Sequence, residues 1–119
     1  MDSFNKVSLQ GRLGSDPDQH TFPNGGSVVR FSLATSDVYV DKNGRSREKT
    51  DWHNIAVFQQ AQAENCQHFR KGDLVRVDGK LETRSYTKDG QKHYATDVCV
   101  RPNPEHSVQL IERPARRPG

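Results

Sequence analysis

Residues 50–58 read TDWHNIAVF, and their apolar and polar side chains alternate as they do along a β-strand. Successive side chains of a strand point to opposite faces, so residues two apart share a face. If Ile55 and Val57 enter a core, His53 goes with them, and Trp52, Asn54, Ala56 and Phe58 face the other way. The one tryptophan of the chain then stands with a phenylalanine on the polar side of a sheet. The same period recurs outward from this stretch: Val7, Leu9 and Leu13 in NKVSLQGRL, Val29, Phe31 and Leu33 in VVRFSLA, and Val75, Val77 and Leu81 in LVRVDGKL. These are half-buried strands.

The punctuation agrees. PNGG at 23–26, KNG at 42–44 and KDG at 88–90 supply the Asn, Asp and Gly that tolerate positive φ in tight turns, and the last two predict hairpins. Between Phe58 and Asp73 lies QQAQAENCQHFRKG, where Ala61, Asn65, Cys66 and Phe69 fall roughly on one helical stripe. Arg70 and Lys71 suit a helix C-terminus, and Gly72 can close it. A last short strand is expected at 106–111. Four or five strands, two hairpins and one short helix point to an all-β five-stranded Greek-key barrel of the oligonucleotide-binding kind with long β-hairpins. Gly11 and Gly79 fall mid-strand, where a tightly coiled barrel must bend and a side chain would obstruct. A plain antiparallel sandwich is the competing architecture.

At 119 residues the chain fits a single domain, and with 31% hydrophobic residues its core is small or completed by other copies of itself. A net charge of +3 tolerates a polyanionic partner without demanding one. No run approaches the roughly 20 apolar residues of a membrane span, and Met1-Asp2-Ser3-Phe4 lacks the design of a signal peptide. A cytoplasmic protein is expected. Cys66 and Cys99 make no Cys-x-x-Cys pair and read as reduced, structural thiols. With His20, His53, His93 and His106 scattered, no metal spacing or cofactor is expected. No Gly-rich phosphate loop, G-x-S-x-G or clustered carboxylate pair is present, and Asp16, Asp37, Asp51 and Asp97 are dispersed, so an enzyme is not expected.

NKVSLQGRLGSDP at 5–17, PNGG, FSLATS at 31–36, TDWHNIAVF, RKGDLVRVDGKLETRSY at 70–86 and DGQKHYATDV at 89–98 together resemble the bacterial and mitochondrial single-stranded DNA-binding proteins. The resemblance covers residues 5 to about 111 in the family's order. It implies an oligonucleotide-binding domain over 1–111, a homotetramer, and duty on unpaired DNA in replication, recombination and repair, with nucleoid association. On the same fold, the alternatives are a primosome or assembly factor that touches DNA only incidentally, and an RNA-binding regulator.

The residues support that implication on chemical grounds. Unpaired DNA shows phosphates and bare base faces together, so an unspecific binder needs cations beside exposed flat rings. Trp52 and Phe58 share one face of a strand, Tyr39 precedes the basic hairpin DKNGRSREK, and Tyr86 shares a parity with Arg84. Tyr39 and Tyr86 occupy positions where the resemblance implies stacking aromatics, commonly tryptophan. Arg45, Arg47, Lys49, Arg84 and Lys88 are the phosphate candidates; Lys6, Arg12, Lys71 and Lys80 are weaker ones. Tyr94 either packs under the second hairpin or touches DNA. By resemblance His53 lies at a subunit contact, and Lys6 and Val7 are assigned to the same interface. From 112 a Pro- and Arg-rich tail, RPARRPG at its end, stands where bacterial members carry an acidic tip, so no acidic-tip recruitment of repair enzymes is expected, and Arg113, Arg116 and Arg117 should add phosphate contacts instead.

Overall fold

The computed structural model describes residues 2–114. Strand β1 spans Val7–Leu13, β2 Asp18–Thr21, β3 Ser27–Val40 and β4 Ser46–Val57. Helix α1 follows at Gln60–Cys66, then β5 at Leu74–Lys88, β6 at Gln91–Val100 and β7 at Ser107–Glu112. The strands β1-β3-β4-β6-β5 pair in that order, and β1 returns to pair with β5, which closes a five-stranded barrel. All barrel pairings are antiparallel except β4 with β6. This is the architecture expected of an oligonucleotide-binding fold.

Inward residues from every barrel strand fill one core: Leu13, Val29, Phe31, Leu33, Ile55, Val57, Val75, Val77, Val98 and Val100. The helix lies against it through Ala63 and Cys66, with Phe69 just beyond the last turn. The phase of the expected helical stripe was wrong, because Ala61 and Asn65 are exposed. Nor do Arg70 and Lys71 sit in the last turn, which carries no basic residue. Arg70 instead caps carbonyls directly, donating to Gln67 O at 3.1 Å and Phe69 O at 2.8 Å, while Gly72 takes a left-handed φ of 91°.

Two glycines permit closure. A Cβ on Gly11 would overlap the carbonyl oxygen of Ala34 on β3, and one on Gly79 would overlap that of Cys99 on β6. Past Gly79 strand β5 leaves the barrel, and for that reason Leu81, expected inside, is 47% exposed. The long strands run on as two arms. The β5–β6 arm turns through Asp89 and Gly90, both at positive φ (53° and 77°), the geometry of a two-residue type I′ hairpin. The β3–β4 arm turns over Asp41, whose Oδ1 accepts from the backbone N–H groups of Asn43 and Arg45, both at 2.9 Å. With these arms the radius of gyration is 16.6 Å, against about 13.5 Å for a compact chain of this length.

Two strands lie outside the barrel. Strand β2 pairs with β3 through a third hairpin over Pro23–Gly26, where only a turn was expected. Strand β7, expected at 106–111, pairs with β5. Both cysteines are free and buried; burial pushes the Cys66 thiol up to about 12 and the Cys99 thiol up to about 11.

Candidate nucleic-acid interface

The register fixes which side chains share the outer face of the barrel. On β3 and β4, Ala34 lies opposite Trp52, Ser32 opposite Asn54 and Arg30 opposite Ala56. The face continues through the Ala56–Cys99 pairing onto β6, and across β6 onto β5, where Glu82 lies opposite Asp97, Arg84 opposite Ala95, Tyr86 opposite His93 and Lys88 opposite Gln91. Trp52, Arg84, Tyr86 and Lys88, predicted separately, therefore stand on one surface.

Trp52 is 62% exposed. Its indole occupies the space that a Cβ on Gly14 would need, so the ring lies against bare backbone and is held there without being buried. Tyr86 stacks on His93 with centroids 5.4 Å apart, and the Arg84 guanidinium lies 5.7 Å from the Tyr86 centroid. His93 is a flat ring that the sequence reading passed over. The signal was available, because a two-residue turn at 89–90 sets Tyr86 directly across from it.

Between Trp52 and this stack lies a groove of about 290 Å³ whose lining includes Asp16, Asp18, Arg30, Ser32, Asn54, Arg84 and Asp97. Asp97 is buried among them, and its Oδ2 accepts from Arg84 Nε at 2.8 Å, with Arg30 Nη1 at 3.9 Å. Arg84, read as a phosphate contact, is thus also a partner of a buried carboxylate. Asp97 itself had been read only as one of several dispersed acids.

Phe58 is placed differently from Trp52. Ala56, expected to face solvent, is buried with Val28 and Cys99 in a satellite cluster on the outer face, and Phe58 and Phe22 pack against it. Outward parity does not mean exposure where β2 and its hairpin cover the sheet. The free face of the half-buried Phe58 ring lies under Arg101, whose guanidinium carbon is 3.9 Å from the centroid. Arg101 Nε and Nη2 each donate 2.8 Å bonds to Glu82 Oε2 and Oε1, and this pairing holds the Glu82 carboxyl down at about 2.

The β3–β4 arm presents its tyrosine on the opposite side. Tyr39 pairs with Arg47 and Asp37 with Lys49, a parity that sets Tyr39, Arg47 and Lys49 on the face away from Trp52. Tyr39 is 51% exposed. Arg47 donates to Asp41 at 2.9 Å, which with the turn N–H groups holds the Asp41 carboxyl below the usual carboxylate range. Lys49 lies 3.7 Å from Asp51. Among the described residues, Arg45 at the tip and Lys88 on the other arm have no carboxylate within ion-pair distance. Tyr94 faces away from Tyr86, 65% exposed, with the Lys92 ammonium 5.6 Å from its centroid.

His53 is half-buried at the barrel mouth, its Nε2 sharing a 2.8 Å hydrogen bond with Thr35 Oγ1. Val7 is half-buried on β1 and Lys6 is exposed just before it. Of the expected tail, Glu112 ends β7 and Arg113 donates to His68 O at 2.9 Å and Asp73 Oδ2 at 3.3 Å, so neither hangs free. Arg116 and Arg117 lie outside the described residues. Among the described residues no helix is long and apolar enough to cross a membrane.

A model of the single-strand binding protein family matches residues 4–111. Single-stranded DNA-binding proteins from Neisseria meningitidis serogroups A and B are 43% identical over 99 residues, which is 82% of this chain and 57% of theirs. The chain thus spans little more than half the length of these curated relatives. Among solved structures, a Plasmodium falciparum SSB in complex with ssDNA superposes with a TM-score of 0.86 at 33% identity, over 94% of this chain and 98% of that one. A deletion mutant of the single-stranded DNA binding protein from Thermus aquaticus gives 0.75 at 31% identity, over 92% and 51%.

Proposed function

This chain belongs to the single-strand binding protein family, and on that premise we propose that it binds and protects unpaired DNA without sequence preference, as a non-catalytic participant in replication, recombination and repair. The observation that carries the reading is the outer face, where the 62%-exposed Trp52 and the Arg84–Tyr86–His93 stack flank one groove. Rings accept any base, and cations follow the backbone. Trp52 and Tyr86 are assigned to base stacking on this face and Tyr39 on the far side of the β3–β4 arm. Phe58 acts through what covers it. Arg45, Arg47, Lys49, Arg84 and Lys88 are assigned to phosphate, with the arm tips foremost.

The protein acts as a homotetramer in this proposal, working in the cytoplasm on nucleoid DNA. Outer strands β2 and β7 each pair with one neighbour among the described residues, and open strand edges invite association with further copies. His53, Val7 and Lys6 are assigned to the contacts. Parallel titrations with unpaired DNA, RNA and duplex test the function. Tight binding to unpaired DNA alone is expected; equal affinity for duplex refutes it, and a preference for RNA through its 2′-hydroxyl would make the chain an RNA-binding regulator.

A further inference from the structure

Arg101 is the first residue after β6 and is fixed from two sides. Its backbone N–H donates to His106 Nδ1 at 2.9 Å, and its guanidinium is gripped by both oxygens of Glu82. Beneath it the Phe58 ring rests on Val28, Ala56 and Cys99. The Arg101 side chain nevertheless remains 41% exposed. A planar guanidinium laid over an aromatic ring covers that ring and offers its own second face outward. Bases stack on arginine planes as they do on rings.

We propose that a base of the bound DNA stacks on the Arg101 guanidinium, with Phe58 as its backing and Glu82 as the positioning residue. The charge arrangement separates this role from phosphate binding. Glu82 already neutralises the guanidinium in a bidentate pair, so Arg101 has little net attraction left for a phosphate and releases few counterions. Its contribution to affinity should then be independent of salt, unlike that of an unpaired cation.

The inference rests on the proposed binding of unpaired DNA, so the unmodified chain binding oligothymidine is the control; if that fails, the broader reading fails first. Oligothymidine is titrated against the full chain and its Arg101→Ala, Arg101→Lys and Glu82→Gln variants at several salt concentrations, with thermal melts to count folded molecules. Arg101→Ala should lose about 5- to 150-fold in affinity at every salt concentration, the loss of one stacked base, with the log–log salt slope unchanged. Arg101→Lys keeps the charge and the stem over Phe58 but has no plane, and should lose nearly as much, which serves if the alanine variant folds poorly. Glu82→Gln should weaken binding less and steepen the slope, because it frees the guanidinium charge. Unchanged or tighter binding by Arg101→Ala would show that the arginine only masks Phe58. A slope shallower by about 0.7 in that variant would mark an ordinary phosphate contact. Either result overturns the proposal.

Discussion

Replacing Trp52 by alanine separates a binding ring from a packing ring. With 62% of the residue exposed, roughly 100 Å² of a tryptophan's surface is covered, worth at most about 2.5 kcal/mol of stability. A domain with a typical 5–15 kcal/mol in hand survives that loss. The covered part includes the flat contact with Gly14, and among the described residues the indole makes no hydrogen bond. A base stacked on the free face contributes about 1–3 kcal/mol, a loss of about 5- to 150-fold in affinity on removal. Isothermal titration of oligothymidine into the folded variant measures the second quantity, and chemical denaturation the first. Because Trp52 is the one tryptophan, its fluorescence in the unmodified chain reports on this position alone and should be strongly quenched at saturation. A variant that unfolds, yet binds with undiminished affinity per folded molecule, refutes the stacking assignment.

Gly79→Ala forces a methyl into the Cys99 carbonyl; denaturation should show a loss of about 1–3 kcal/mol, as for other overpacked sites. The Glu82–Arg101 pair gives a pH signature. The folded Glu82 carboxyl, held down at about 2 by Arg101, lies below its unfolded value near 4.3, so its stabilisation is complete above that value and is lost as pH falls from there toward 2. The stability gap between the unmodified chain and Glu82→Gln, at most about 1 kcal/mol for so exposed a pair, should be flat from pH 8 to 5 and narrow below 4.5 in urea titrations. For assembly, light scattering should give about 54 kDa, four copies of a 13.5 kDa chain; His53→Lys should shift the mass downward, and a monomer mass for the unmodified chain would refute the tetramer.

The strands were legible because period 2 and turn glycines are local signals. What period 2 does not say is whether a face is covered. Leu81 keeps the parity of Val75 and Val77 yet lies outside, since the barrel ends at Gly79. Ala56 has outward parity yet is buried, since β2 and its hairpin extend the sheet over it. Strand β2 itself, DQHT, is exposed throughout and leaves no hydrophobic pattern to read. The helix slipped in phase because Ala and Asn at 61 and 65 carry too little hydrophobic weight to set a stripe in seven residues. At the site, the rings were visible as residue types, while Asp97, Glu82 and Arg101 acquire meaning only from pairings between distant stretches.

Those pairings divide the labour of binding. On the barrel face Asp97 engages Arg30 and Arg84, and Glu82 engages Arg101 and Lys80, so the surface beneath the rings is close to neutral. Arg45 and Lys88 have no such partner among the described residues, sit at the arm tips and are exposed. Under the proposed function, the phosphate chain is attracted by the arm tips while bases stack on rings nearer the barrel. Removing these two arm-tip cations, Arg45→Ala with Lys88→Ala, should shallow the salt slope by about 1.4, at 0.7 per phosphate on a single strand. Affinities of this variant and the unmodified chain should converge at high salt. Trp52→Ala should do the opposite, lowering affinity by a constant factor with the slope intact. Salt-series titrations of the two variants side by side decide the matter. Equal slopes for the double variant and the unmodified chain would place the phosphate contacts on the barrel, with Asp97 and Glu82 yielding their arginines to DNA.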